Sequence, residues 1–277
     1  VSPVFITPSS NEILLILVIL CSIFISIIVF CLIKIFIWGK DNKDTSKVIN
    51  DITNAVNVTL RDDDNNTELV NDTNEEETSD YWYYIKFPLI DVDITELKEK
   101  NSDTVGWINV NNTNINYPFV QTKDNSYYLN HSFDKKYNEA GWVFLDYRNN
   151  NDLNNKNTIL YAHSRLDKTM FGSLSKVLKS SWYNNKDNHI IRLSTDTENT
   201  LWQIFSVYKI PEESYYITTN FNSNKEYTKF LNTIKQRSIH NFNTNLDAND
   251  KILTLSTCYS DTERTVVHAK LIKRSPK

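Results

Sequence analysis

The chain has 277 residues, a formal net charge of −4 and only three cysteines. This length accommodates a membrane segment and one further domain with a proper hydrophobic core. The negative charge gives no basic footprint of the kind that nucleic-acid-binding domains carry, so we expect no nucleic-acid partner. Cys21 and Cys31 lie within one apolar run, and Cys258 is far from both. These three residues can form neither a disulfide framework nor a metal-ligand cluster, and we expect no metal and no cofactor.

Residues 13–33 form an uninterrupted run of apolar and small side chains. As a helix this run would be about 31 Å long, enough to span the hydrocarbon core of a bilayer. We therefore predict an N-terminal tail over residues 1–12 and a transmembrane anchor over residues 13–37. Several lysines follow the run, and the positive-inside tendency alone would place them in the cytoplasm.

Residues 38–80 are polar and acidic, with the runs Asp-Asp-Asp at 62–64 and Glu-Glu-Glu at 75–77. Few of these side chains could contribute to a core, so the composition predicts a flexible acidic linker. The folded domain is predicted to occupy residues 81–277.

Within residues 81–277, short apolar or β-branched runs alternate with turn signals. The pattern predicts helices at 94–100, from Asp124 onwards, at 170–178 and at 225–237. It predicts strands at 106–110, 115–120, 141–145, 158–162, 189–194, 201–210, 252–258 and 265–272. Many short strands and few helices indicate a mostly-β fold, a closed or nearly closed barrel with helices at its periphery.

Three side chains at predicted strand ends can together support nucleophilic catalysis. Cys258 ends one strand, Arg264 immediately precedes the next, and an antiparallel return would bring the two together. His163 ends another strongly apolar strand. A cysteine could attack an amide carbonyl to form a thioester, a histidine could exchange the proton, and an arginine could stabilise the oxyanion. The backbone N–H of Tyr259 could complete the oxyanion hole, although a buried structural cysteine remains an alternative at this point.

The sequence around these residues resembles the sortase family. The segment TLSTC at 254–258 is similar to the TLxTC signature of sortases, and Arg264 matches the arginine that opens the last strand of that family. The segment YAH at 161–163, followed by MFGSL at 170–174, resembles the histidine segment. VGWI at 105–108, Tyr117-Pro118, Asp124-Asn125 and Phe144-Leu145-Asp146 resemble class B landmarks in the right order.

The resemblance implies an eight-stranded sortase barrel with an N-terminal helical extension and a helix between strands six and seven. It implies a catalytic trio of His163, Cys258 and Arg264. By position it implies substrate contacts at Asn125, Leu129, Tyr161, Tyr216, Ile217 and Ser256. Glu263 stands where the family often has glycine, so we expect its carboxylate to weaken the field of Arg264.

The resemblance also implies the substrates and the location. A sorting-signal pentapeptide of a surface protein would be cleaved after its threonine and passed to an amine of cell-wall peptidoglycan. The enzyme would be a single-pass membrane protein of a Gram-positive cell with its barrel outside. Two other functions remain open from the sequence: a thiol endopeptidase that only hydrolyses, and a non-catalytic, membrane-tethered peptide-binding barrel.

Overall fold

The computed structural model describes residues 9–71, 75–77, 79–258 and 263–277, with only the backbone described for Cys258. The chain divides into two compact units, Val1–Asp44 and Thr45–Lys277. The first helix, α1, runs over Ser10–Ala55 and includes the predicted anchor. Within the described part of the chain it is the one helix that is long and apolar enough to cross a membrane.

The acidic stretch 38–80 contains more regular structure than its composition indicates. It includes the end of α1, strand β1 (Val58–Arg61) and strand β2 (Glu68–Leu69). β1 pairs with β3 (Leu89–Val92), and β2 pairs with the last strand of the chain. The structure therefore differs here from the predicted flexible linker, because ladder hydrogen bonds hold these residues on the barrel unit. The domain boundaries themselves stay a prediction.

Eight strands close into a barrel. In chain order they are β4 (Thr104–Val110), β5 (Asn116–Val120), β6 (Phe144–Leu145), β7 (Asn157–His163), β8 (Ile190–Thr195), β9 (Glu198–Pro211), β10 (Ile252–Cys258) and β11 (Glu263–Pro276). Around the ring their order is β10-β7-β6-β5-β4-β8-β9-β11, and β11 pairs back onto β10. The mostly-β fold and the eight-stranded barrel predicted from the sequence are confirmed.

Strands β9, β10 and β11 are buried on both faces. On one face, side chains such as Trp202, Leu255 and Val267 contribute to the main core. On the other face, Phe205 and Val266 pack against the helix Asn224–Gln236, named α5. Successive side chains of these strands therefore face two different apolar environments in turn, which explains why few of their positions are exposed.

Helix α5 spans Asn224–Gln236 and confirms the predicted amphipathic helix. Its start is set by Ser223, whose Oγ accepts a hydrogen bond from the backbone N–H of Glu226 at 3.2 Å. Its apolar side chains recur at helical spacing and all face the outer surface of the barrel: Tyr227, Phe230, Leu231 and Ile234.

The remaining helical elements are short. They are α2 (Tyr81–Tyr84), α3 (Thr95–Lys100), α4 (Ser180–Tyr183) and the 3-10 turns Tyr127–Leu129, Gly172–Leu178, Lys186–Asn188 and Tyr215–Ile217. The helix predicted from Asp124 onwards is only a 3-10 turn. The Asp124 carboxylate accepts hydrogen bonds from the N–H groups of Ser126 at 2.8 Å and Tyr127 at 2.9 Å. These local bonds compete with a longer helix and bend the chain.

Candidate active site

The barrel brings two of the predicted catalytic positions together through strand register. β7 and β10 are parallel neighbours, and their register pairs Cys258 with His163. Both residues are the last of their strands, so their backbones lie side by side at the carboxyl ends of two adjacent strands. Such an edge, where regular structure gives way to loops, is a common location for catalytic groups.

His163 is half-buried, and a short contact holds its imidazole. Its Nε2 lies 2.6 Å from the carbonyl oxygen of Leu129, at the end of the 3-10 turn before β6. Because a carbonyl oxygen can only accept, the hydrogen of this bond belongs to Nε2. Nδ1 is therefore the ring nitrogen that is left to exchange a proton.

Gly141 allows this contact to form. Its φ is +58°, and a Cβ added there would lie 2.5 Å from the carbonyl oxygen of Tyr128, 2.8 Å from that of Leu129 and 3.1 Å from Cδ2 of His163. Only glycine fits so close to two carbonyl groups in this backbone conformation.

Arg264 lies at the start of β11, at the end of the β10–β11 pair where Cys258 also lies. Its side chain is largely buried. Nη2 lies 3.1 Å from the carboxylate of Glu212, which is mostly exposed, and Nη1 donates to the carbonyl oxygen of Glu263 at 3.2 Å. The Glu263 carboxylate accepts a hydrogen bond from Lys209 at 2.9 Å. We expected the negative charge of Glu263 to weaken the electrostatic field of Arg264. The positive charge of Lys209 offsets that effect.

Four of the predicted substrate contacts lie on β7, on β10 and in the 3-10 turn Tyr215–Ile217, while Asn125 and Leu129 lie in the segment between β5 and β6. Tyr161 is on β7, Ser256 is on β10 and directly pairs with Tyr161, and Tyr216 is in the 3-10 turn before α5. The hydroxyl groups of Tyr216 and Ser256 lie 3.0 Å apart and are buried. Tyr259 lies outside the described residues. As a label for the prediction that substrate binds at these six positions, we use the name peptide groove for Asn125, Leu129, Tyr161, Tyr216, Ile217 and Ser256.

A buried ion pair beside the peptide groove was not predicted as part of the site. The side chain of Asp146 is 0% exposed, and that of Arg148 is 33% exposed. The Asp146 carboxylate accepts from Nε of Arg148 at 2.8 Å and from its Nη2 at 2.7 Å. It also accepts from Nδ2 of Asn125 at 3.0 Å and from the hydroxyl of Tyr161 at 2.9 Å. The sequence shows Asp146 only as a landmark of the resemblance, and nothing in it distinguishes Arg148 from an ordinary loop residue.

Hydrogen bonding governs the ionisation of this pair. Burial acts to raise the pKa of Asp146, but the bonds from Arg148 and Tyr161 outweigh it and the pKa is lowered. The hydrogen bond to Asp146 likewise raises the pKa of Arg148. Burial and the nearby Asp146 charge raise the pKa of Tyr161, which keeps its phenol as a donor. The pair is therefore ionised at neutral pH.

Comparisons with known proteins agree with this architecture. Residues 108–272 match the family model described as the sortase domain. Sortase B of Staphylococcus aureus is 41% identical over 183 residues, which are 65% of this chain and 74% of that protein. A solved structure of a Bacillus anthracis protein described as similar to sortase B is 34% identical, covers 85% of this chain and 97% of that chain, and has a TM-score of 0.66. The S. aureus sortase B–substrate complex is 41% identical, covers 64% of this chain and 83% of that chain, and has a TM-score of 0.61.

The closed barrel and these matches define the class of protein: the chain belongs to the sortase family, whose members are cysteine transpeptidases. Within that family, the relatives that it matches are sortases B, and the chain is a class B sortase.

Proposed function

We propose that His163, Cys258 and Arg264 cleave a sorting-signal peptide and transfer it to an amine. The observation that carries the proposal is the β7–β10 register, which pairs Cys258 with His163 at adjacent strand ends. In the first step the Cys258 sulfur attacks the carbonyl carbon of the threonine residue in the peptide. The C–N bond breaks and a thioester forms, and the proton that the Cys258 thiol loses passes through His163 to the leaving amine.

The second step returns the enzyme to its starting state. An incoming amine attacks the thioester carbon, the C–S bond breaks, and a new amide forms. His163 takes the proton that the incoming amine loses and passes it to the released Cys258 sulfur. Because Nε2 of His163 is bonded to the Leu129 carbonyl, Nδ1 is the nitrogen assigned to both proton transfers.

Arg264 is proposed to donate hydrogen bonds to the oxyanion or to the peptide backbone. A planar guanidinium with several fixed donors suits this task better than an ammonium group. Glu212 and the Glu263 carbonyl already orient the guanidinium. We expect Arg264→Lys to lower kcat/KM by about 10²-fold, a loss typical of removing one transition-state donor.

The peptide groove is proposed to hold the sorting signal, with the backbone N–H of Tyr259 completing the oxyanion hole. Support comes from the related S. aureus enzyme, which has been solved as a substrate complex. The proposed acceptor is a peptidoglycan amine. The apolar part of α1 is proposed to anchor the chain in the membrane with the barrel outside.

The test uses the full chain in detergent micelles and a fluorogenic pentapeptide library with threonine at the cleavage position. Wild type should cleave at least one peptide, and both Cys258→Ala and His163→Ala should reduce kcat by at least about 10³-fold. Cys31→Ala, a cysteine replaced in the apolar run of α1, is the matched control and should retain full activity. Equal rates for wild type and Cys258→Ala would contradict the proposed nucleophile.

Adding a peptidoglycan-type amine, such as triglycine, separates transfer from hydrolysis. Mass spectrometry should detect the amide adduct of the peptide. If only the hydrolysed acid forms at every amine concentration, the chain acts as a thiol endopeptidase. The proposed location is tested on intact cells, where an added protease should digest the barrel without lysis.

A further inference from the structure

We propose that the Asp146–Arg148 ion pair is a positioning element for the peptide groove. It holds three segments that carry groove residues in fixed relative positions: the Asn125 loop, β7 and the 3-10 turn Tyr215–Ile217. This inference rests on the proposed function, because it assigns a role in peptide binding at the same site. Neither residue is proposed to touch the reacting atoms. Both would act through the residues that they hold.

The position of Asp146 follows from the strand before it. β6 ends at Leu145, which pairs with Leu160 of β7, and the N–H of Asp146 donates to the carbonyl of Ile159 at 2.9 Å. This bond continues the ladder by one residue. The carboxylate is thereby placed between β7 and the loop that carries Asn125.

The first two of these segments, the Asn125 loop and β7, meet at this carboxylate. Asn125 donates to Asp146 from its Nδ2, and its Oδ1 accepts from the N–H of Tyr147 at 3.0 Å. Both ends of the Asn125 amide are therefore bound to the segment after β6. Tyr161 of β7 donates its hydroxyl to the same Asp146 oxygen. The loop and the strand cannot shift independently while these bonds persist.

Arg148 connects the third segment, the 3-10 turn Tyr215–Ile217, to the same carboxylate. Besides its two bonds to Asp146, its Nη2 donates to the carbonyl of Ile217 at 3.0 Å. The 3-10 turn that contains Ile217 also contains Tyr216, which is bonded to Ser256. Ser256 is two residues before Cys258 on β10. A continuous set of hydrogen bonds thus runs from the Asn125 loop to the strand of the proposed nucleophile.

The chemistry of the pair fits positioning better than general stabilisation. One planar guanidinium binds the carboxylate through two nitrogen atoms and a backbone carbonyl of another element at the same time. A lysine in its place would keep the charge but lacks the fork needed for all three contacts. The geometry of the groove should therefore be sensitive to Arg148→Lys even where the fold is not.

The chain provides a matched control at the opposite end of the barrel. Arg274 of β11 pairs with Glu198 of β9, and its side chain is 33% exposed, as is that of Arg148. Glu198, with 9% exposure, is nearly as buried as Asp146. Arg274→Lys therefore perturbs a similar ion pair ten residues along β11 from Arg264.

The experiment compares Arg148→Lys and Arg274→Lys in the full chain, with the best-cleaved member of the fluorogenic library as the probe. We expect Arg148→Lys to raise KM by about tenfold while kcat stays within about threefold, since a loss of positioned binding acts on the ground state and the transition state alike. Arg274→Lys should lower the thermal midpoint about as much as Arg148→Lys does, but it should leave KM unchanged. Equal KM values for the two variants would overturn the inference.

A second measurement does not depend on turnover. Anisotropy of a labelled peptide is recorded with Cys258→Ala alone and with Cys258→Ala combined with Arg148→Lys. The combined variant should bind about tenfold more weakly. If wild type cleaves peptide but the two forms bind it equally, the inference fails and the proposed function stands. If neither wild type cleaves nor the Cys258→Ala form binds any library peptide, both fail.

Discussion

A buried lysine on β11 should determine whether the acidic stretch before the barrel stays attached. The side chain of Lys270 is 3% exposed and pairs with Glu75, whose side chain is 2% exposed. Its Nζ also lies 3.3 Å from the buried carboxylate of Asp250 and donates to the carbonyl of Asn245 at 3.1 Å. The acidic stretch is further tied to Asp250 through Nδ2 of Asn71 at 2.7 Å.

Lys270→Met keeps the length of the side chain but removes the charge. Glu75 and Asp250 would then be two buried carboxylates without their shared cation. Removing one partner of a buried ion pair typically costs about 3–5 kcal/mol in the free energy of unfolding. For a unit of this size that corresponds to a fall of about 6–20 °C in the thermal midpoint. Adding Glu75→Gln should recover part of the loss, because one uncompensated charge is removed.

The assay is thermal unfolding of the full chain in detergent micelles, followed by circular dichroism. Lys98→Met is the matched control, because Lys98 pairs with Asp196 and both side chains are over 40% exposed. An exposed pair of this kind contributes no more than about 1 kcal/mol. A midpoint for Lys270→Met as high as that for Lys98→Met would refute the reasoning, since the buried charges would then carry no cost.

Two further predictions concern the histidines. Gly141→Ala should displace the Leu129 carbonyl that binds His163 and reduce kcat/KM by about 10²-fold, the cost of a misplacement near 1 Å. Gly39→Ala, where no atom of the described residues lies within 4 Å of the added Cβ, should not change activity. An active Gly141→Ala variant would argue against the role of the Leu129 contact. Burial lowers the pKa of His189 to about 4, so the fold favours its neutral form. The associated stability is present above pH 6.5 and is lost as the pH falls towards 4, at a cost of about 3 kcal/mol. His189→Gln should flatten the dependence of the thermal midpoint on pH over this range, and an unchanged slope would contradict this assignment.

Regular elements were largely predictable from the sequence. The strands β4, β5 and β7 to β11 fall within a few residues of their predicted positions, because each has an apolar pattern that only a strand or barrel wall can bury. Helix α5 was predictable for a similar reason, since its apolar positions recur at helical spacing. The region after Asp124 was not, because side-chain bonds to the backbone replaced the expected helix with a single turn.

The polar residues near the groove were harder to interpret. Asp146, Glu75 and Lys270 have charged side chains, and a charged residue in a sequence is most often solvated. Their burial depends on partners from distant parts of the chain, such as Arg148 for Asp146 and the acidic stretch for Lys270. No local pattern encodes such a pairing, so both the structured part of residues 38–80 and the ion pair beside the groove were missed.

The sequence alone determined which chemical groups are available: one cysteine in the barrel unit, a histidine and an arginine, each at the end of an apolar strand. It also predicted a closed or nearly closed barrel, because many short strands and few helices are typical of that fold. Only the tertiary structure decided that β7 and β10 run side by side in parallel, which brings His163 beside Cys258. Such a pairing depends on barrel closure and on hydrogen bonds between strands that are remote along the chain, and these form only when the whole core packs at once.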